Sequence, residues 1–263
     1  MSDAFIQSCL LNLYSAVRKT GFLSSPVGKV IFNSAYDGYK RLLEARTLSY
    51  LEKWVTPDSI VIDVGANAGF FTVQFAKWLG PQGAVIAIEP EANNVTRLQK
   101  AIKKQNCEDR VTIIQAVAAE KAGMLRLCIN PDHPGDHRIG DSGIAIPAVT
   151  LDELVKEQES TKISFIKIDV QGAEIRVLRG AREILERHAP AMFVEVDPTA
   201  LAAQGGSLEQ LEDILSQAKY TMFILTKGGR HHPITLDDLR AMTSELGTYV
   251  DVLCLPSQRN ERN

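Results

Sequence analysis

Two polar features of the sequence stand where apolar runs end, and together they could bind an adenosine. The loop Asp63-Val64-Gly65-Ala66-Asn67-Ala68-Gly69 carries two glycines, of which Gly65 can turn sharply and Gly69 lets a helix start close to the preceding strand. Backbone N–H groups of this loop could face a ligand. Glu89 lies 24 residues after Gly65, and an acid at this place can accept hydrogen bonds from both hydroxyls of a ribose.

The loop departs from the dinucleotide-binding pattern at Asn67, where that pattern has a glycine. Asparagine tolerates a positive φ, so the turn can form, but its side chain occupies space that a pyrophosphate would use. S-adenosylmethionine contains an adenosine and no phosphate, so we predict it as the cofactor. We expect Asp63 and nearby backbone amides to hold its methionine end. The adenine would lie near Ala116 and Val117, for which an ordinary strand role is equally open.

Several side chains could bind or deprotonate the molecule that accepts a transferred methyl group. Asp169 ends an apolar run and could be the base that takes a proton, or could position the ligand. His137 stands beside Arg138 in a loop rich in Asp, Gly and Pro, where it could act as a base near neutral pH or be merely solvated. Arg138 could bind an anionic acceptor. Glu195 could line the acceptor pocket or be structural, and we expect no metal site.

The elements that must position these residues alternate along the chain. Apolar runs predict strands at 59–65, 83–90, 110–119, 123–131, 163–170, 191–197, 220–226 and 248–255. The continuous run at 59–65 is typical of a strand buried on both faces of a parallel sheet. Amphipathic stretches predict helices at 69–80, 91–106, 174–188 and 208–219. This alternation indicates a doubly wound α/β fold with a mostly parallel sheet, in which ligands bind at the carboxyl ends of the strands.

The first 55 residues differ from the rest because they lack strand-like runs. We predict helices at 3–19 and 36–54 in this N-terminal segment, followed by a ligand-binding domain over 56–258. Tyr36 and Tyr39 would suit a cap over the cofactor. Hydrophobic cover for the sheet and a dimer surface remain alternatives for the same segment.

Composition narrows the class of protein and of partner. The chain has 263 residues, 45% hydrophobic and 23% charged, with a formal net charge of −3. This balance favours a small-molecule acceptor over nucleic acid, whose binders usually carry a basic excess. Four scattered cysteines indicate reduced thiols, and no run approaches the length of a membrane span. We therefore expect a cytoplasmic protein without a membrane span.

Five segments occur in an order that resembles the FkbM family of methyltransferases. They read VIDVGANAGFFT, AIEP, TLDEL, FIKIDVQGAEIRVLRGA and FVEVD. The resemblance runs from about residue 45 to about residue 200, and the stretch from Lys167 to Glu174 matches most specifically. It implies a class I, Rossmann-like sheet of seven strands with the last strand antiparallel.

The resemblance also implies roles for particular residues. Residues of the glycine loop and Glu89 would hold S-adenosylmethionine, namely Asp63, Gly65, Asn67 and Gly69 in the loop. Asp169 and Gln171 would lie where cofactor and acceptor meet. We therefore expect methyl transfer from S-adenosylmethionine to a hydroxyl of a sugar or other small metabolite.

Two other functions remain open at this stage. An NAD-dependent oxidoreductase would use the same class of fold, and Tyr36 and Lys40 have the spacing of a proton relay, but they precede the glycine loop. A non-catalytic module that only binds S-adenosylmethionine would have the same cofactor residues.

Overall fold

The structure is a computed structural model that describes residues 48–129, 137–156, 161–226, 228–246 and 249–257. The chain divides into two compact units, Met1–Ser49 and Tyr50–Asn263. The predicted helix at 3–19, Tyr36 and Tyr39 lie outside the described residues, and of the predicted helix at 36–54 only the end is described. That end is helical to residue 51 and continues as a 3-10 turn, Glu52–Trp54.

Parallel strands form the centre of the larger unit. Its main sheet contains, within the described ranges, the strands β1 (Ile60–Val64), β2 (Ala84–Ile88), β3 (Val111–Ile114), β8 (Ile163–Ile168), β9 (Ala191–Val196), β10 (Tyr220–Leu225), β11 (His231–Pro233) and β12 (Val250–Pro256). Their order is β11-β10-β12-β9-β8-β1-β2-β3. The pairs β2–β3, β1–β2, β1–β8 and β8–β9 are parallel, whereas β12 runs antiparallel to both β9 and β10.

A second, smaller sheet is inserted between β3 and β8 of the main sheet. It contains β4 (Val117–Ala118), β5 (Gly123–Cys128), β6 (Arg138–Ile139) and β7 (Ile144–Val149), in the order β4-β7-β5-β6. Val117, Leu127 and Ile146 form its buried core.

Helices connect the strands of the main sheet. They are α1 (Phe70–Trp78), α2 (Ala92–Lys104), α3 (Leu151–Val155), α4 (Glu174–Arg179), α5 (Arg182–Arg187), α6 (Pro198–Ala203), α7 (Leu208–Gln217) and α8 (Leu236–Leu246). None of the helices described here has both the length and the apolar character needed to cross a membrane.

Residues along each strand alternate between the two faces of the main sheet, and helices cover both faces. Ile60, Ile62 and Val64 of β1 lie in one core cluster with residues of α4, α5 and α7. On the opposite face, the ring of Phe165 in β8 lies 5.5 Å from that of Phe75 in α1. The predicted doubly wound α/β fold is therefore confirmed.

The structure corrects three details of the prediction. The expected seven strands are present with β12 antiparallel, but the short strand β11 pairs with β10 and makes the sheet eight-stranded in the described part of the chain. The predicted strand at 110–119 is two strands, because the chain turns where the Ala116 amide donates to the Ile114 carbonyl (3.0 Å) and β4 joins the smaller sheet.

The third correction concerns the predicted helix at 174–188, which is two helices separated at Gly180. A Cβ atom at Gly180 would lie 2.1 Å from the carbonyl oxygen of Ala119, so the chain packs too closely there for any side chain. The Gly180 carbonyl accepts a hydrogen bond from the Asp152 amide instead of continuing the helix.

Candidate functional site

The direction of the crossovers reverses between β1 and β8, and this is where open parallel sheets bind ligands. Four acidic side chains lie at or just beyond the carboxyl ends of neighbouring strands, namely Asp63, Glu89, Asp169 and Glu195. Strand register aligns Asp63 with Lys167, and Lys167 with Phe193. Because side chains alternate along a strand, Asp63, Lys167, Asp169 and Glu195 point to the same face of the sheet as Phe165.

Asp63 is completely buried at the end of β1. Its Oδ2 accepts a hydrogen bond of 2.5 Å from the Thr72 hydroxyl on α1. Its Oδ1 has no hydrogen-bond partner among the described residues and lies 3.9 Å from Nζ of Lys167. Burial raises the pKa of Asp63 above its ordinary value, and the Lys167 ammonium opposes that rise. One buried carboxylate oxygen of Asp63 is therefore left without a hydrogen-bond donor among the described residues.

The glycine loop has the backbone conformation expected of it. Gly65 and Gly69 have φ values of 78° and 87°, and Asn67 also takes a positive φ, 47°. A Cβ atom at Gly65 would lie 1.9 Å from the carbonyl oxygen of Asp169. Gly65 is therefore required for the loop to lie against the end of β8, and Asn67 supports the turn as predicted.

The loop amides, however, are directed into the protein rather than toward a ligand. Gly65 and Ala66 both donate to the Ile88 carbonyl (3.0 and 3.1 Å), Asn67 donates to Oε2 of Glu89 (2.9 Å), and Gly69 donates to the Ala66 carbonyl (2.9 Å). The expectation that backbone N–H groups of these residues face a ligand is therefore wrong. The amides of Gly65, Ala66 and Asn67 bond to residues at the end of β2, and the Gly69 amide bonds within the loop.

Glu89 is buried just beyond β2 and holds the glycine loop in place. Besides the Asn67 amide, its carboxylate accepts hydrogen bonds from the Glu91 amide (3.0 Å) and from Nδ2 of Asn94 (3.3 Å). Burial raises the pKa of Glu89 above its ordinary value, and these donors oppose the rise. Since a carboxylate has about four acceptor positions, these three donors leave about one.

A polar network joins the ends of β8 and β9. Lys167 donates to Oδ2 of Asp169 (3.1 Å), and Nε2 of Gln171 donates to Oδ1 of Asp169 (3.3 Å) and to Oε1 of Glu195 (3.1 Å). Gln171 has a positive φ of 52°, a conformation that costs energy in a residue other than glycine. The structure thus brings together Asp169, Gln171 and Glu195 as predicted. The network also includes Lys167, which was not among the predicted site residues. Its charged side chain within the apolar run ISFIKI is the feature of the sequence that could have indicated it.

Glu174 lies directly beyond this network, at the first position of α4. It is buried, its Oε1 accepts from the Gly172 amide (3.0 Å), and its Oε2 has no hydrogen-bond partner in the described part of the chain. Burial raises the pKa of Glu174 from its ordinary value of 4.5 to about 7, and the neighbouring charge of Asp169 adds to the effect.

The remaining predicted residues lie on or near the smaller sheet. Ala116 is buried in the turn that follows β3, whereas Val117 packs into the core of the smaller sheet. His137 is half-buried and precedes β6, on which Arg138 is exposed.

The strand β6 lies near the polar network because its second residue, Ile139, contacts α6. Nε2 of Gln204, at the end of α6, donates to the Ile139 carbonyl (3.0 Å). Gly172 in turn packs so closely on α6 that a Cβ atom there would lie 2.2 Å from the carbonyl oxygen of Ala200. In the described residues no three His, Cys, Asp or Glu side chains converge as metal ligands.

Comparison with known proteins relates the chain to methyltransferases. The model of the Methyltransferase FkbM domain matches residues 63–222. The hexuronic acid methyltransferase AglP of Haloferax volcanii is 27% identical, covering 62% of this chain and 63% of the relative. The 2-O-methyltransferase NoeI of Sinorhizobium fredii is 25% identical, covering 53% of this chain and 63% of the relative.

A solved structure, the methyltransferase FkbM from Methylobacillus flagellatus, has 20% identity and a TM-score of 0.49, with 76% of this chain and 44% of that chain covered. This chain spans less than two thirds of the length of the curated relatives named above.

Replacing Glu89 by Gln tests its role in holding the loop. Glutamine has one acceptor oxygen, so it cannot accept from the Asn67 and Glu91 amides on separate oxygens as the carboxylate does. We expect the free energy of unfolding, measured with urea, to fall by about 1–3 kcal/mol. The exposed Glu245→Gln serves as the control, with a change within about 0.5 kcal/mol. Equal stability of the two variants would contradict this role.

The pKa of Glu174 predicts a pH dependence of stability. Because its pKa is raised from 4.5 to about 7 by folding, the folded state holds a proton that the unfolded state releases between these values. Stability should therefore fall as the pH rises through this window, by up to about 3 kcal/mol. Glu174→Gln keeps an acceptor for the Gly172 amide and removes the titration. Urea unfolding from pH 4.5 to 8 should show the wild type losing stability relative to this variant, and parallel profiles would refute the assignment.

Proposed function

Because this chain belongs to the FkbM methyltransferase family, we propose that it transfers a methyl group from S-adenosylmethionine to a hydroxyl oxygen of a sugar or other small metabolite. The observation that carries the proposal is the buried Asp63 carboxylate, whose Oδ1 is unsatisfied at the point where the crossovers reverse. The Lys167 ammonium lies 3.9 Å from this oxygen, which is too far for a hydrogen bond, so the oxygen still lacks a donor among the described residues, and a charged donor would suit it best.

The residues at this point fit S-adenosylmethionine better than a dinucleotide. A pyrophosphate is normally bound by free backbone amides at a helix N-terminus, whereas the amides of Gly65, Ala66, Asn67 and Gly69 are already donated within the protein. The methionine end of S-adenosylmethionine carries an ammonium group, for which Asp63 is a suitable partner. Glu89 has one acceptor position for the ribose, and the buried Ala116 would border the adenine.

The chain's own residues would then bind, orient and deprotonate the acceptor. S-adenosylmethionine supplies an activated methyl group when bound, so the protein mainly has to align a nucleophile and exclude water. Donors on both oxygens hold Asp169 at the carboxyl end of β8, where it would meet the hydroxyl of an acceptor. It would accept the proton that the hydroxyl oxygen loses as that oxygen forms its bond to the methyl carbon.

The acceptor would lie on the β9 and β6 side of Asp169. Glu195 is joined to Asp169 through Gln171, so these three polar side chains could bind hydroxyls of one small molecule. Arg138 and His137 precede Ile139, whose carbonyl bonds Gln204 at the end of α6, and they would border the same side. The name of one relative, a 2-O-methyltransferase, supports an oxygen acceptor, and that of another, a hexuronic acid methyltransferase, supports a sugar acid as the acceptor molecule.

Thermal unfolding with added ligands tests the cofactor. At 100 times its dissociation constant a ligand adds about 2.7 kcal/mol of stability, which should raise the melting temperature by roughly 5–10 °C for a chain of this size. We expect such a rise with S-adenosylmethionine and with S-adenosylhomocysteine, and none with NAD. A rise with NAD alone would refute the proposal in favour of an oxidoreductase.

Methyl transfer itself is tested with S-adenosylmethionine labelled on its methyl group and a panel of neutral sugars, hexuronic acids and small alcohols. We expect label in a product that resists mild base, as an ether does and a methyl ester does not. Asp169→Asn should lower the rate at least about 100-fold, the usual contribution of a general base, while Glu245→Gln retains the wild-type rate.

Cofactor binding without transfer to any acceptor would indicate a module that only binds S-adenosylmethionine. A wild-type rate in Asp169→Asn would exclude Asp169 as the base and leave His137 as the next candidate. His137→Gln would then be measured with the same labelled cofactor.

A further inference from the structure

Lys167 is the cation of the site, and it is enclosed by groups from three segments of the chain. Its side chain is only 6% exposed. Its Nζ lies 3.1 Å from Oδ2 of Asp169, 3.9 Å from Oδ1 of Asp63 and 3.4 Å from the Gly65 carbonyl oxygen. The register of β1 and β8 makes Asp63 and Lys167 direct neighbours, so the backbone itself sets this arrangement.

The ammonium group has little freedom to leave this position. Burying a charge is costly unless it is paired and hydrogen-bonded, and the partners of Lys167 include two carboxylates and a backbone carbonyl. Nζ also lies 4.9 Å from the centre of the Phe71 ring on α1, where a cation is attracted by the face of the ring. Lys167 therefore acts as a fixed positive charge beside Asp63 and Asp169.

A fixed positive charge at this place affects the two forms of the proposed cofactor differently. S-adenosylmethionine carries a sulfonium, which S-adenosylhomocysteine lacks, so methyl transfer removes one positive charge from the ligand. Two uncompensated carboxylates, Asp63 and Asp169, would favour the charged form strongly. Lys167 offsets part of their charge, and with it part of that preference.

We propose that Lys167 sets the charge preference of the cofactor site, weakening the binding of S-adenosylmethionine relative to S-adenosylhomocysteine. The inference rests on the proposed function, because it assigns the ligand of that same site. Lys167 is a positioning residue here, since it acts through the carboxylates that it neutralises. By lowering the preference for the charged ligand, it makes conversion to the neutral product more favourable on the protein.

Calorimetric titration of the full chain with each ligand separately tests this inference without relying on turnover. The quantity measured is the ratio of the dissociation constant of S-adenosylhomocysteine to that of S-adenosylmethionine. In Lys167→Met we expect this ratio to rise at least about ten-fold, the scale for unit charges several ångströms apart at an effective dielectric constant of about 20. In the matched control Lys167→Arg, which keeps the charge, the ratio should stay within about two-fold of wild type.

The ratio separates charge from structure, because damage to the fold weakens both ligands alike. An unchanged ratio in Lys167→Met, with wild-type binding intact, overturns the inference and leaves the proposed function standing. Wild-type protein that binds neither ligand overturns both.

A second variant covers the case in which Lys167→Met does not fold. Lys167→Met combined with Asp169→Asn replaces a charged pair by a neutral pair, an exchange that buried sites often tolerate. Because one positive and one negative charge are removed together, we expect its ratio to stay within about two-fold of wild type. A departure of about ten-fold or more in the double variant overturns the inference, since charge would then not determine the ratio.

Discussion

The arrangement of the site depends on one buried ammonium group. Lys167 stands inside an otherwise apolar strand, where an unpaired charge would be strongly unfavourable. Its pairing with Asp63 requires the observed register of β1 and β8, because shifting either strand by one residue would turn its side chain to the opposite face of the sheet. The same ammonium bonds Asp169 and the Gly65 carbonyl. The strand order at the reversal point, the glycine loop and the acidic network are therefore coupled through one side chain.

The backbone donors of the candidate site are hydrogen-bonded within the protein, whereas some of its carboxylate acceptors are not. The backbone amides of Gly65, Ala66, Asn67 and Gly69 are satisfied by the Ile88 carbonyl, the Glu89 carboxylate and the Ala66 carbonyl, so these four amides are already hydrogen-bonded within the protein. Carboxylate oxygens, by contrast, remain available at Asp63 and in part at Glu89. A site of this polarity suits a ligand that presents an ammonium group and hydroxyls. It is poorly suited to one that presents phosphates.

The polar network is connected to the smaller sheet through close backbone contacts. Gly172 packs on the Ala200 carbonyl, and Gln204 at the end of the same helix bonds the Ile139 carbonyl of β6. These contacts join β6 to the turn that holds Gln171 by way of α6. This turn is already strained, since Gln171 has a positive φ and is held there by Asp169 and Glu195. The inserted sheet thus supports one side of the site.

Local sequence patterns determined much of the fold of this protein and part of its candidate site. Apolar runs that alternate with amphipathic stretches indicated the strands, and acidic residues at the ends of those runs indicated the candidate site. Both patterns depend only on neighbouring residues in the chain. The need for glycine at 65 and the positive φ of Asn67 were predictable for the same reason. Patterns missed the break at Gly180 and the division of 110–119 into two strands, because both arise from contacts with distant segments, the Ala119 carbonyl and the smaller sheet.

Hydrogen-bond partners were decided only by the tertiary structure. From the sequence, the loop amides and Glu89 were both expected to face a ligand, but the parallel pairing of β1 with β2 directs the amides to Ile88 and Glu89. Lys167 became part of the site because strand register placed it beside Asp63. Which donor bonds which acceptor depends on the register of strands that are far apart in the chain. Each bond within the protein occupies a group that, from the sequence alone, could have bound a ligand.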